Sequence, residues 1–391
     1  MALRAARDGR TVERVVPSVP LVRRPRSFRS SPVEISNMAL EFPLQILKSV
    51  WVNRPDGRWS IDNVKGLTLA SKAEDDQRYF LLQGNVEVLK NNPNGRFDDV
   101  LSLFGTTEFL MQQSIVPVVA WLEGESAIRC IGTASIISCT GYLITAAHVL
   151  LDPLEAGYGA VRVGRVVQHR DELNFGVFIP YWMQGRGSYL QKAFRFFPFE
   201  KMWAWGDWKQ SPLLYEDDRW EHLTDVAVCK IPQMPGGQAH QPLNMSLNAF
   251  TPGEDAYALG YAEMPDIEIN PATGRIVDDD FGLNLFVTAG NILQTFPQNH
   301  IAKEVSTPGP CFDFNARVPG KMSGAPVFGA RGAVVRGVVS RSFSGEEHAY
   351  GSMLGPAMDL PMNEPELQGR SLRLLLQEGN EGMAQVHGAG L

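Results

Sequence analysis

Three short segments hold residue types that can do covalent chemistry together: Thr-Ala-Ala-His-Val around His148, Thr-Asp-Val-Ala-Val around Asp225 and Met-Ser-Gly-Ala-Pro around Ser323. A serine hydroxyl is a poor nucleophile near neutral pH, so it needs an imidazole within hydrogen-bond reach to take its proton during attack. The imidazole in turn needs a buried carboxylate that sets its tautomer and stabilises the imidazolium. His148, Asp225 and Ser323 supply base, orienter and nucleophile in that chain order, the layout of a serine hydrolase. Such chemistry requires no cofactor and no metal.

Each segment abuts an apolar run of strand character, so the elements expected to carry these residues are strands and turns rather than helices. Singly, each motif has an ordinary explanation: a satisfied core histidine, a strand-capping aspartate, a small-residue turn. Their joint occurrence, each beside its own apolar strand, favours one site. Residues 132–150, Gly-Thr-Ala-Ser through Thr-Ala-Ala-His-Val-Leu, resemble the histidine segment of trypsin-like serine peptidases, especially the HtrA-type bacterial branch. Asp-Val-Ala-Val-Cys-Lys-Ile from Asp225 is similar to the aspartate strand of that branch, and residues 312–340 to its serine segment. Weaker echoes are Tyr-Ala-Leu-Gly-Tyr at 257–261 and Val-Thr-Ala-Gly-Asn-Ile at 287–292. The resemblance spans about residues 114–360 and implies an all-β, chymotrypsin-like fold of two six-stranded antiparallel barrels with the site in the cleft between them.

It also implies an oxyanion hole made by the backbone N–H groups of Ser323 and of the residue two before it. That residue is normally glycine and here is Lys321; Gly320 lies one position earlier, so either Lys321 donates or the loop has an extra residue that puts Gly320 in the role. A lysine held at positive φ costs on the order of 1–2 kcal/mol, which a fold tolerates. Counting back six residues from the nucleophile gives Arg317 at the base of the primary substrate pocket, with Ser340 and His348 as further pocket candidates. Positive groups there favour acidic side chains before the scissile bond. The expected function is a serine endopeptidase acting on protein or peptide substrates. The alternative is a protease-like module that binds peptides or a partner protein without cutting.

The net charge of −7 argues against a nucleic-acid partner, because phosphate contacts need a basic surface. The apolar stretch around residues 128–151 is interrupted by Gly132, Gly141 and His148, so it reads as a barrel hairpin rather than a membrane span. The four cysteines, Cys130, Cys139, Cys229 and Cys311, form no disulfide framework, and Cys130 and Cys139 stand at opposite ends of one expected strand. A reducing, cytoplasmic setting is therefore expected.

Along the chain, residues 1–37 hold eight arginines and several prolines without apolar periodicity and read as a disordered leader. Residues 38–112 form an N-terminal extension with some β character and a helix-like period from 97 to 112. The first barrel is expected over 113–247, with an aromatic-rich insertion at about 168–222 that includes Trp182, Trp203, Trp205, Trp208 and Trp220. Aromatic density marks that stretch as folded, either as a satellite core or as a wall over the cleft. Residues 232–243 read as the linker, 248–360 as the second barrel, and 361–391 as a tail with a short helix around 371–376.

Overall fold

The structure is a computed structural model. It describes residues 112–150, 161–163, 166–184, 190–209, 219–234, 239–262, 264–271, 275–276, 285–297, 307–329, 334–342, 348–362, 369–378 and 386–387, and the strand segments 2–4, 50–53, 59–62, 67–74 and 77–84.

Strand-forming residues in alternation build two sheets, antiparallel except where Asn244–Ser246 runs parallel to its neighbours in the second. The first comprises β1 (Ile115–Leu122), β2 (Ala127–Ile136), β3 (Tyr142–Thr145), β4 (Leu173–Gln184), β5 (Leu190–Pro198), β6 (Lys201–Lys209) and β7 (Arg219–Lys230). They pair in the order β6, β7, β3, β2, β1, β4, β5. Only Phe199 and Glu200 separate β5 from β6; the Phe199 N–H donates to the Phe175 carbonyl at 2.9 Å and the Glu200 N–H to the Lys230 carbonyl at 2.8 Å. β5 and β6 thus act as one bent strand passing from the β4 ladder to the β7 ladder, and the barrel has six walls.

The strands that follow are β8 (Asn244–Ser246), β9 (Asp255–Tyr261), β10 (Ile267–Asn270), β11 (Leu285–Phe296), β12 (Cys311–Phe314), β13 (Pro326–Gly329), β14 (Val334–Ser342) and β15 (Ala349–Met353); all but β10 belong to the second sheet, and β10 is an arm that pairs with β2 of the first. Six of them close a ring, β13, β9, β11, β12, β15, β14 and back to β13. Two short helices, Gly355–Asp359 and Leu372–Glu378, follow.

Because side chains alternate across a strand, each barrel has two apolar faces. Val116, Val118 and Ala120 of β1 join Ala134, Leu143, Ala227 and Phe197 inside the first barrel. Ala256 and Ala258 of β9 join Phe312, Phe314, Val327 and Val339 inside the second. The intervening residues, Ile115, Val119 and Trp121 of β1 and Tyr257, Leu259 and Tyr261 of β9, meet in a third cluster shared by the two barrels. The arm β10 crosses this seam and pairs with β2, placing Ile267 opposite Ile128.

The aromatic-rich stretch runs through the first barrel's own wall as β4, β5, β6 and the start of β7. Phe178, Phe196, Phe197, Trp203 and Trp205 are buried. Ahead of the barrel, Gln77–Gly84 pairs with Leu67–Glu74 and with β5, and Ala2–Arg4 pairs with β6. The remainder of the 1–37 leader, residues 86–89 and the helix-like period at 97–111 lie outside the described residues. The four cysteines are free thiols, and burial pushes Cys130 and Cys311 up to about 12, which leaves them as packing groups.

Candidate active site

His148 opens a single 3-10 turn just beyond β3, and the next two residues, Val149 and Leu150, are buried in the first barrel's core, which pins the turn. Asp225 sits in β7 immediately before Val226, Ala227 and Val228, all fully buried. β7 pairs with β3, so the two residues arrive side by side although 77 positions apart. The carboxylate takes hydrogen bonds from His148 in two ways: the main-chain N–H donates to Oδ1 at 2.9 Å, and the ring Nδ1 lies 2.9 Å from Oδ2. The Ala147 N–H also donates to the Asp225 carbonyl at 3.2 Å. A carboxylate can only accept, so Nδ1 carries the proton and Nε2 of the neutral ring is left as the basic nitrogen. The Asp225 side chain is 3% exposed and that of His148 17%, so the carboxylate is shut in and the ring is partly open.

Ser323 comes from the second barrel, in the turn leading from β12 to β13. Its hydroxyl donates to the Ser340 carbonyl at 3.2 Å, and its own carbonyl accepts the Thr133 N–H at 2.8 Å. The turn is braced by Ala325 N–H to Met322 carbonyl and Gly324 N–H to Val339 carbonyl, both at 2.8 Å. Gly324 has φ +84°, and a Cβ there would overlap the Thr133 carbonyl oxygen and Thr145 Oγ1. The serine turn can press against the first barrel only because that residue has no side chain.

Lys321 is the residue of this turn in the left-handed region, with φ +76°. Gly320, the alternative donor, has no positive φ, and a Cβ on it would meet nothing within 4 Å. The left-handed position of this turn is therefore held by Lys321 and not by Gly320.

The three pocket candidates have different settings. Ser340 is buried, and its hydroxyl donates to Asp225 Oδ2, so it belongs beside the carboxylate rather than in a pocket wall. His348 places Nδ1 2.8 Å from Asp313 Oδ1, an acidic neighbour that offsets any positive charge it carries. Arg317 is exposed, and its carbonyl accepts the Thr288 hydroxyl at 2.8 Å.

Two further residues at this site are not singled out by the sequence. Thr307, buried, lies 2.9 Å from Ser340 Oγ through its own Oγ1. Ser340 already spends its one proton on Asp225, so Thr307 is the donor in this pair. Thr133, also buried, contacts the serine turn from 188 positions away, a separation no local motif reveals. Among the described residues no group of three or more His, Cys, Asp or Glu side chains gathers as a metal site.

The arrangement offers a nucleophile, an oriented imidazole, a buried carboxylate and a turn with a left-handed residue. The family model described as trypsin-like peptidase domain matches residues 132–335. No curated protein matches the chain in sequence. Among solved structures it is similar to Deg5, at 15% identity with a TM-score of 0.36, over 67% of this chain and 92% of that one. It is also similar to the active form of the Rv3671c protease from M. tuberculosis, at 17% identity with a TM-score of 0.37, over 73% of this chain and 89% of that one.

Proposed function

The chain belongs to the trypsin-like peptidase family, and on that premise we propose that it is a serine endopeptidase that hydrolyses peptide bonds through Ser323, His148 and Asp225. Ser323 Oγ attacks the scissile carbonyl carbon while His148 Nε2 takes its proton. The same proton then goes to the departing amine, and water repeats the sequence on the acyl-enzyme. Asp225 holds the ring with Nδ1 protonated and compensates the imidazolium. The backbone N–H groups of Ser323 and Lys321 are the proposed donors to the oxyanion.

The observation that carries this reading is the double attachment of His148 to one buried carboxylate, through ring and main chain, both at 2.9 Å. A merely structural histidine has no need of that pairing next to a serine turn from the other barrel. For attack, the Ser323 hydroxyl leaves the Ser340 carbonyl and turns to Nε2. One neutral hydrogen bond is exchanged for another, at a cost of about 1 kcal/mol or less.

A fluorophosphonate probe tests the proposal, because it phosphonylates a serine already activated by its base. The wild type should label at a rate that rises as His148 loses its proton, and Ser323→Ala and His148→Ala should not label. Asp225→Asn should label on the order of 10⁴-fold more slowly, since the ring is then held in the wrong tautomer. A folded wild type that stays unlabelled from neutral to mildly alkaline pH would instead support a module that binds peptides without cutting.

A further inference from the structure

Thr133 uses every polar group it has on the seam between the barrels. Its N–H donates to the Ser323 carbonyl at 2.8 Å, and its carbonyl accepts the Thr145 hydroxyl at 2.7 Å. Its Oγ1 accepts the Tyr261 N–H at 3.0 Å and lies 3.3 Å from the Lys321 carbonyl oxygen. An amide N–H can only donate, so the single hydroxyl proton of Thr133 points to Lys321. The side chain is fully buried, and no water is needed to complete the set.

The target of that proton matters because Lys321 is the one non-glycine residue at positive φ among the described residues. Rotation about φ swings the preceding peptide, and with it the Lys321 N–H, relative to the Lys321 carbonyl. Downstream the turn is already tied through the Ser323 carbonyl, the Gly324 N–H and the Ala325 N–H. Once the Lys321 carbonyl is held too, the left-handed φ sets where its N–H points. Glycine would take this conformation without penalty; lysine pays for it in steric strain and needs something to keep it there. A buried hydrogen bond to the lysine carbonyl can supply that hold.

We propose that Thr133 is a positioning residue of the oxyanion turn: its hydroxyl, braced by the Tyr261 amide of the second barrel, holds Lys321 left-handed so that its N–H faces the site. The catalytic consequence rests on the serine-peptidase function proposed above; the structural hold does not. The same hydroxyl links the two barrels to the turn, because Tyr261 also donates its phenol to the Ile115 carbonyl of β1 at 3.2 Å.

The test compares Thr133→Val, which keeps the shape and loses the hydroxyl, with Thr133→Ser, which keeps the hydroxyl. Two quantities are read: the fluorophosphonate labelling rate of Ser323 across pH, and deuterium uptake of the turn amides at 320–325, with the β11 strand as control. Thr133→Val should label about 10- to 100-fold more slowly, with the pH midpoint unmoved because His148 and Asp225 are untouched. It should also exchange faster at Gly324 and Ala325 while β11 stays protected. Thr133→Ser should restore both to near wild type. Unchanged exchange in the turn of Thr133→Val overturns the proposal, as does a serine variant no better than valine. A uniform rise in exchange that includes β11 reduces Thr133 to a stability role and also overturns it. If the wild type itself fails to label, the peptidase function falls, and the exchange data alone decide whether Thr133 holds the turn.

Discussion

Asp225 gathers at least three donors on two oxygens, the His148 N–H, the His148 ring and the Ser340 hydroxyl, and Ser340 in turn accepts a hydrogen bond from the Thr307 hydroxyl. This chain of hydrogen bonds therefore extends beyond the proposed triad to Ser340 and Thr307. These additions differ in rank. Ser340 touches the carboxylate directly, and its carbonyl also accepts the Ser323 hydroxyl, whereas Thr307 acts only through Ser340. Ser340→Ala should slow Ser323 labelling more than Thr307→Val, whose loss of one buried hydrogen bond of about 1 kcal/mol translates to roughly fivefold. Measuring both rates at one pH checks the order; a larger effect at Thr307 contradicts it. The proposed triad of His148, Asp225 and Ser323 could be picked out from the sequence because each residue sits in a distinctive local phrase. Thr307 could not, because a lone buried threonine has no phrase, and Thr133, though inside the 132–150 segment, has nothing local that ties it to a turn 188 positions away. The role of Ser340 depended on knowing that β14 runs past β7's aspartate.

At the scale of elements, the serine turn works because two of its residues occupy conformations that most residues avoid. Gly324 does so where a side chain would strike Thr133 and Thr145, and Lys321 does so with a side chain present. Gly320 is under neither constraint. Gly324→Ala should therefore abolish labelling and lower stability by more than about 2 kcal/mol, while Gly320→Ala should stay within about 0.5 kcal/mol of wild type. Chemical denaturation of the two variants measures the contrast; equal losses would mean that the turn is arranged around Gly320 instead. The strands themselves were readable from alternation, and the echoes at 257–261 and 287–292 fall in β9 and β11. The stretch at 168–222 looked surplus because β4 and β7 are each twelve residues long, more than a compact barrel wall needs. Composition marked it as folded, but the corner at Phe199 and Glu200 depends on hydrogen bonds to β4 and β7 that no local pattern announces.

On the scale of the whole molecule, the shared apolar cluster between the barrels makes either half costly to open alone, so a defect in one barrel weakens the site held by both. The first barrel carries two such defects in waiting. His169 packs edge-on against Phe175, and neither ring nitrogen has a hydrogen-bond partner among the described residues. Burial lowers it from 6.5 to about 4. His240, edge-on to Phe197, bonds the Pro232 carbonyl through Nε2 and leaves Nδ1 unpartnered. Burial lowers it as well, with nearby Lys230 adding to the effect against the Pro232 hydrogen bond. Both rings are neutral in the folded protein, and the unfolded chain binds their protons first. Stability is therefore fully present above the unfolded value of 6.5 and declines as pH falls below it, until near pH 4 the folded His169 is protonated too. For His169 this amounts to about 2 kcal/mol by pH 5 and about 3 kcal/mol at the acid limit. The unfolding free energy of the wild type should drop between pH 7.5 and pH 5, and that of His169→Phe, which keeps an aromatic ring but has nothing to protonate at this position, should drop by about 2 kcal/mol less. Parallel pH profiles for the two proteins would show that His169 reaches water and that the acid sensitivity of the fold lies elsewhere.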